Sequence, residues 1–168
     1  KKLNSILRKK AKRYMVANNE LVTNITNEDT TIRNIRNDSL ISIRHDLNKN
    51  CNALKEWVKK ESLKILSKNK IAGVLGGDHS SPLGLMEALS TIHPSFGILQ
   101  IDAHCDLRNC YENLTYSHAS IMFNALQLPQ VSRLVQVGIR DYCEEENELI
   151  RNSGGRVVIF SDEAVKER

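Results

Sequence analysis

The sequence predicts an α/β fold, with a parallel sheet and helices on both faces. Four short apolar runs alternate with stretches whose apolar residues recur at helical spacing. A strand that is buried on both sides has no polar face to expose, and such strands are typical of parallel sheets. The 168 residues, 40% of them hydrophobic and 26% charged, are sufficient for one globular domain.

Each expected strand precedes an expected helix. The strands are residues 71–75, 96–101, 134–138 and 157–160. The helices are residues 82–92, 116–126 and 144–150, and a fourth that begins after residue 161. Pro82 suits the first turn of a helix, and the hydroxyl group of Ser161 can accept a hydrogen bond from a first-turn amide. Further upstream, residues 52–68 also show helical periodicity.

The N-terminal part of the chain, residues 1–50, is expected to be separate from an α/β domain at residues 51–168. Seven basic residues and no acidic residue occur in residues 1–13, above apolar residues at helical spacing. This pattern favours an amphipathic helix with a solvated basic face over a nucleic-acid-binding element. Residues 18–50 are rich in Asn, Thr and Asp without sustained periodicity, which predicts loops.

The composition argues against membrane and secreted proteins. No apolar run approaches the ~18 residues of a membrane span, and no apolar stretch follows the basic start as in a signal peptide. Cys51, Cys105, Cys110 and Cys143 lack a Cys-x-x-Cys spacing, so we expect reduced thiols. The expected protein is cytoplasmic, with no membrane partner and no nucleic-acid partner.

Ligand-type residues follow the first two expected strands. Residues 76–80 read Gly-Gly-Asp-His-Ser, and residues 102–106 read Asp-Ala-His-Cys-Asp. Ligands bind beyond the carboxyl ends of parallel strands, and in an extended segment Asp102, His104 and Asp106 would project to one side. A cation would offset the repulsion between the carboxylates, and this donor set favours Mn²⁺, although Zn²⁺, Fe²⁺ or Co²⁺ could bind it. For the second motif alone, a salt-bridged strand end is the alternative.

Together the two motifs resemble the signature of the ureohydrolases, the arginase and agmatinase family, which hydrolyse guanidino groups to urea and an amine at two Mn²⁺ ions. Residues 106–111, 116–119 and 137–140 resemble the agmatinase branch, and the resemblance covers about residues 50–168. It implies the arginase-like three-layer α/β/α fold, a small guanidino substrate, two manganese ions and a homo-oligomer.

The resemblance also implies a role for each residue that matches the family's site. His79 and Asp106 resemble ligands of one metal, His104 resembles a ligand of the other, and Asp102 resembles a carboxylate that bridges both. Asp106 would also accept a hydrogen bond from the bridging hydroxide and pass its proton to the departing amine. His118 resembles the proton-shuttling histidine of the family, and its alternative is a histidine that caps or packs on a helix.

Agmatine is the substrate that the resemblance favours. Cys143 stands where arginases have an aspartate that contacts the α-amino group of arginine, and residues 107–117 lack the arginase pattern that binds the α-carboxylate. L-Arginine is the alternative. The three glutamates of residues 144–146 are expected to form a solvated first turn rather than to contact substrate. Cys105 is expected to point away from the metals and to pack in the interior.

The expected metal site is incomplete in this sequence. The family completes its site with an Asp-x-Asp pair after a later strand, and none follows Asp106 here. We therefore expect an interior portion of a longer enzyme, which by itself has little ureohydrolase activity because each metal would lack protein ligands. The alternative is a non-catalytic relative that acts in assembly with a partner subunit.

Overall fold

The computed structural model describes residues 30–167, and the side chains of residues 40–167. Within these residues, the long helix α1 (Thr30–Leu66) and the shorter helix α2 (Leu83–Ile92) precede strand β1 (Phe96–Ile101). The later elements are α3 (Ile121–Leu126), β2 (Val131–Ile139), α4 (Glu144–Asn152), β3 (Val157–Ser161) and α5 (Asp162–Lys166). The chain divides into two compact units between Leu54 and Lys55. The domain boundary expected at residue 50 stays a prediction, and the expected basic helix lies outside the described residues.

The three strands found among the described residues form one parallel sheet in the order β1-β2-β3. Helical connections join successive strands, because two parallel neighbours require a crossover between them. The predicted α/β fold class is confirmed. Within residues 30–167, no helix is long and apolar enough to cross a lipid bilayer.

The interior of the second unit lies where α3 meets the sheet. α3 buries Ile121, Met122, Ala125 and Leu126, and α3 contacts β2. Other members of the same buried cluster come from the strands and from the loop after β1; they include Cys105, Leu107, Val131, Leu134, Ile139 and Val157. Burying each large aliphatic side chain contributes about 1.5–3 kcal/mol, so this cluster holds the loop that carries the candidate site.

α1 and α2 cross closely at Gly84. A Cβ atom at this position would lie 2.8 Å from Val58 Cβ and 2.8 Å from the amide nitrogen of Lys59. Beside the crossing, Glu87 of α2 accepts from Lys55 Nζ at 2.7 Å and lies 3.2 Å from Lys59 Nζ. The absence of a side chain at Gly84 therefore allows the backbones to approach and the ion pairs to form.

Three of the expected elements differ from the structure. Residues 71–75 were predicted to form a strand, but within the described chain they have no strand partner and no regular structure, and Ile71 is 99% exposed. A β-strand is stabilised by its neighbour, so an apolar run without one is not a strand. Without a strand at residues 71–75, β1 is an edge of the described sheet, and its Ile101 is 80% exposed.

The prediction of loops from residue 18 to residue 50 is wrong from Thr30 onward, because α1 begins there. Leu47, Cys51, Leu54 and Val58 are all buried, at spacings of four, three and four residues. That heptad-like spacing is a helical signal. The signal is weak in the sequence, because each turn has only one buried residue and the rest are mostly polar.

The expected helix over residues 116–126 begins later in the structure. A short 3-10 turn covers His118–Ser120, and the α-helix itself starts at Ile121. The other boundaries agree to within a few residues. The predicted cap of the last helix is confirmed, because Ser161 Oγ accepts from the amide of Ala164 at 3.2 Å.

Candidate metal centre and active site

The candidate site lies at the carboxyl end of β1. The amide of Asp102 donates to the carbonyl of Val137 at 3.0 Å, so pairing with β2 continues one residue beyond the strand. Gly138 follows at a register shift, with φ of 87°, and a Cβ atom there would lie 3.3 Å from the carbonyl oxygen of Asp102. The left-handed conformation and the close approach both favour glycine. β2 therefore fixes the backbone that carries Asp102.

Asp106 stands at a sharp turn rather than in an extended segment. Its φ is 54°, a left-handed conformation that aspartate tolerates better than most residues. Its carbonyl oxygen accepts from the amides of Met122 at 3.0 Å and Phe123 at 3.2 Å, which are first-turn amides of α3. With 6% exposure, its side chain is buried. The Asp106 carboxylate thus owes its position to this turn, and not to the strand-like alternation that was expected.

His79 reaches the two carboxylates from the turn before α2. Asp78 stabilises this turn: its Oδ1 accepts from the amide of Ser80 at 2.9 Å, and its carbonyl accepts from Ser81 Oγ at 2.6 Å. His79 Nδ1 lies 2.8 Å from Asp106 Oδ2 and 3.3 Å from Asp102 Oδ2. The hydrogen bond to Asp106 raises the pKa of His79, and burial opposes this rise without cancelling it.

The structure brings three of the four expected metal ligands into one cluster. Ligand atoms of His79, Asp102 and Asp106 all lie within 4.8 Å of one another. His104 lies on the other side of Asp102: its Nδ1 is 3.6 Å from Asp102 Oδ1, and its Nε2 is 3.7 Å from Asp141 Oδ2. The two oxygens of Asp102 therefore face two different histidines.

The electrostatics of Asp102 favour its charged form. Burial alone would raise the pKa of this carboxyl group, but hydrogen bonds from the His104 amide and from Gln100 lower it, with a net decrease. An ionised carboxylate between two imidazoles is a donor arrangement that suits a divalent cation.

A cavity of about 180 Å³ opens beside this cluster. Its lining includes His104, Asp106 and His118, so the expected proton shuttle faces the same space as two expected ligands. The rings of Tyr111 and His118 meet edge to face, with centroids 5.6 Å apart. The Arg108 guanidinium lies over the Tyr111 ring, 5.3 Å from its centroid. The cavity thus combines acidic, imidazole and cationic groups.

The sequence model of the arginase family matches residues 7–168 of this chain. The chain belongs to the arginase family. The match begins well before residue 50, where the resemblance was expected to start. The fold of the solved relatives is the arginase-like α/β fold, so this part of the prediction is also confirmed.

Three relatives illustrate the activities in the arginase family. The chain is 37% identical over 97 residues to an N(1)-aminopropylagmatine ureohydrolase of Thermus thermophilus, covering 58% of this chain and 32% of that protein. It is 41% identical over 76 residues to the mitochondrial arginase 1 of Arabidopsis thaliana, and the match covers 45% of this chain and 22% of that protein. The agmatine ureohydrolase structure of Thermoplasma volcanium matches with a TM-score of 0.61 and 32% identity, covering 70% and 39%. The matches thus span between 22% and 39% of the length of these relatives.

The prediction for the glutamates after Cys143 is wrong in one position. Glu144 and Glu145 are exposed, but Glu146 is only 3% exposed. Its Oε1 accepts from the amide of Leu107 at 2.8 Å, and its Oε2 accepts from the amide of Cys143 at 2.9 Å. Glu146 therefore joins the start of α4 to the loop that follows Asp106.

One cysteine near the site, Cys105, packs in the interior. Cys105 is fully buried, as expected, and burial raises the pKa of its thiol to about 12. A thiol that is both buried and protonated is unreactive. Cys143 directly precedes α4. Tyr142 before it and Glu146 in the first turn of α4 both line the cavity.

Sequence reasoning missed two further residues near the carboxylates, Gln100 of β1 and Gln136 of β2. Both are buried, and they are register partners on adjacent strands. A signal was available, because each is a polar residue within an otherwise apolar run, and a buried polar side chain requires hydrogen-bond partners.

Proposed function

We propose that the protein carrying this chain is a metal-dependent ureohydrolase that cleaves a guanidino group to urea and an amine. The position of Asp102 is the observation that supports this proposal most directly. Its Oδ2 faces His79 at 3.3 Å and its Oδ1 faces His104 at 3.6 Å, with Asp106 beside His79. A carboxylate with a possible metal ligand on each side is suited to bridge two cations.

Two Mn²⁺ ions are the proposed cofactor. His79 and Asp106 would hold one ion, His104 the other, and Asp102 both. Carboxylate and imidazole donors suit Mn²⁺, and Zn²⁺, Fe²⁺ or Co²⁺ are the competitors. When bound, such a pair supplies a strong nucleophile near neutral pH by lowering the pKa of a shared water.

The residues of the chain itself would handle the protons. Asp106 and His118 line one cavity, so a guanidino group bound there would meet both side chains. Asp106 would accept a proton from the attacking water and donate it to the departing nitrogen. His118, which is exposed, would exchange protons with solvent.

Agmatine is the proposed substrate. Cys143 supplies no charge where arginases place the aspartate that contacts an α-amino group. The names of two relatives, an agmatine ureohydrolase and an N(1)-aminopropylagmatine ureohydrolase, also indicate substrates without an amino-acid head. L-Arginine is the second candidate, because Arg108 lines the cavity and could pair with a carboxylate. Arg108 Nε, however, already lies 3.9 Å from the buried carboxylate of Glu146.

Urea release by the intact, Mn²⁺-loaded protein tests both parts of this proposal. We expect activity that disappears after exhaustive chelation and returns with a divalent metal, and a higher kcat/KM for agmatine than for L-arginine. N(1)-aminopropylagmatine is the third substrate to compare. Activity that survives complete metal removal would refute the metal centre. A preference for L-arginine would refute only the substrate assignment.

The assembly and location of the protein are further proposals. We propose a cytoplasmic homo-oligomer with no nucleic-acid partner, as the resemblance and the composition suggested. The mass of the native protein in solution, from light scattering after size-exclusion chromatography, would test the oligomer, and a monomeric mass would contradict it.

A further inference from the structure

Two glutamine side chains are buried directly behind the candidate metal ligands. Gln100 of β1 is 5% exposed and Gln136 of β2 is fully buried. They are register partners, and the residues that precede and follow each of them in its strand are apolar. Burying a primary amide costs free energy unless it is hydrogen-bonded, so this pair requires a physical reason.

The two amides form a chain that ends at the carboxylates. Gln136 Nε2 donates to Gln100 Oε1 at 2.5 Å and to the carbonyl of Cys105 at 2.7 Å. Gln100 Nε2 lies 3.2 Å from Asp106 Oδ2 and 3.3 Å from Asp102 Oδ2. It also lies 3.2 Å from the carbonyl of His104. One NH₂ group therefore faces both carboxylates and the backbone between them.

The surroundings determine which way each amide points. Gln100 Nε2 faces two carboxylate oxygens and a carbonyl oxygen, and Gln136 Nε2 faces two oxygens as well. If the oxygen and nitrogen of either amide were exchanged, an amide oxygen would face these acceptor oxygens and no hydrogen bond could form. The NH₂ group of each glutamine must therefore face them. Gln136 Oε1, by contrast, has no hydrogen-bond partner among residues 30–167. The pair thus retains one unsatisfied oxygen while its donors are fully used.

A neutral donor has an advantage over a charged one at this position. A lysine or arginine would also attract the two carboxylates, but its positive charge would compete with a divalent cation. An amide orients carboxylates through hydrogen bonds and leaves their negative charge available to a metal. Groups that hydrogen-bond metal ligands commonly raise metal affinity by 10–100-fold through such orientation.

From this geometry we infer that Gln100 is a positioning residue of the proposed metal centre, and that Gln136 acts through it. Gln100 holds the carboxylates of Asp102 and Asp106 in a fixed relation before a metal binds. This inference rests on the metal centre proposed above.

Isothermal titration of the intact, metal-free protein with Mn²⁺ tests the inference. We expect Gln100→Leu to weaken Mn²⁺ binding by 10–100-fold and to change the EPR spectrum of the Mn²⁺-loaded protein. In urea unfolding without metal, Gln100→Leu should lower stability, because the buried Gln136 Nε2 loses one of its two acceptors, and combining it with Gln136→Leu should recover stability, because both partners are then apolar. Gln127→Leu is the matched control: Gln127 is exposed and its amide donates to the carbonyl of Phe123 at 3.2 Å.

The double substitution distinguishes positioning from packing. If Gln136 acts through Gln100, Gln136→Leu alone should weaken Mn²⁺ binding by a smaller factor, and adding it to Gln100→Leu should cause no further loss. Gln136→Leu also keeps the inference testable if Gln100→Leu does not fold, because Gln136 donates to Gln100 and to the carbonyl of Cys105 rather than to a carboxylate. Wild-type Mn²⁺ affinity in both single variants, or a loss of affinity that only parallels a loss of stability, would overturn the inference. Failure of the wild type to bind any divalent metal would instead refute the metal centre itself.

Discussion

Replacement of Glu146 by alanine is the sharpest stability test that the structure offers. The Glu146 carboxylate is 3% exposed and accepts two backbone hydrogen bonds, from Leu107 at 2.8 Å and from Cys143 at 2.9 Å. These bonds connect the loop after Asp106 to the first turn of α4. The substitution removes both acceptors and leaves the amide of buried Leu107 without this partner.

The expected cost follows from these contacts. A hydrogen bond to a charged group contributes about 1.5–3 kcal/mol, so two of them predict a loss of roughly 3–6 kcal/mol for Glu146→Ala. Glu146→Gln keeps one acceptor oxygen and turns an NH₂ group toward the other amide, which predicts roughly half that loss. Glu144→Ala is the control, because its side chain is 70% exposed and its contacts, at 3.4 Å and 4.0 Å, are long. Its expected cost is below about 0.5 kcal/mol.

Urea unfolding of the intact protein, followed by far-UV circular dichroism, measures these differences, provided that the slope with denaturant stays constant across the series. The expected order of stability is wild type and Glu144→Ala together, then Glu146→Gln, then Glu146→Ala. If Glu146→Ala is no less stable than Glu144→Ala, the carboxylate does not support the loop in the way described. If Glu146→Gln costs as much as Glu146→Ala, the assignment of one bond to each oxygen is wrong.

Three further predictions concern other parts of the second unit. His118→Ala should lower turnover of the intact enzyme by roughly 10²–10⁴-fold at unchanged metal content, by kinetics and elemental analysis; loss of metal would make His118 a ligand instead. Gly84→Ala should lower the free energy of unfolding in urea by roughly 1–3 kcal/mol, since its methyl group would overlap the backbone of Lys55; an unchanged free energy would contradict the close crossing. Burial raises the pKa of Glu87, but hydrogen bonds from Lys55 and Lys59 lower it to a net value below its ordinary 4.5. The stabilisation by Glu87 is therefore full above pH 4.5 and is lost as the pH falls through the lowered pKa. The free energies of unfolding in urea of wild type and Glu87→Gln should therefore become equal in acid. A difference that stays constant with pH would refute this prediction.

The sequence was most informative where the physical signal is local. The apolar runs that became β1 and β3 are bounded by turn residues, and each was predicted within one residue. The same logic failed for residues 71–75, which read equally well as a strand, because a strand also depends on a neighbour elsewhere in the chain. The part of α1 before residue 52 was similarly missed, since single apolar residues per turn give a weak pattern.

Within the site, sequence position predicted which residues meet but not how they meet. The rule that ligands collect at the carboxyl ends of parallel strands placed Asp102 at the end of β1. The family resemblance placed His79 with Asp106, although residues 71–75 before His79 are not a strand. The left-handed turn at Asp106 and the burial of Glu146 could not be predicted. Both depend on contacts between residues far apart in the chain, such as the bond from Leu107 to Glu146, 39 positions apart.

The carbonyl of Asp106 accepts from the amides of Met122 and Phe123. These bonds attach the loop that carries Asp106 to the first turn of α3, so a movement of α3 moves the loop. Repacking Ile121 or Met122 would therefore shift the Asp106 carboxylate, although both side chains are buried and are not among the residues that line the cavity. Variants selected for altered activity are then expected to include substitutions in the buried face of α3. For the same reason, the hydrogen-exchange rates of the Met122 and Phe123 amides give a spectroscopic readout of the loop in which no engineered label disturbs the site.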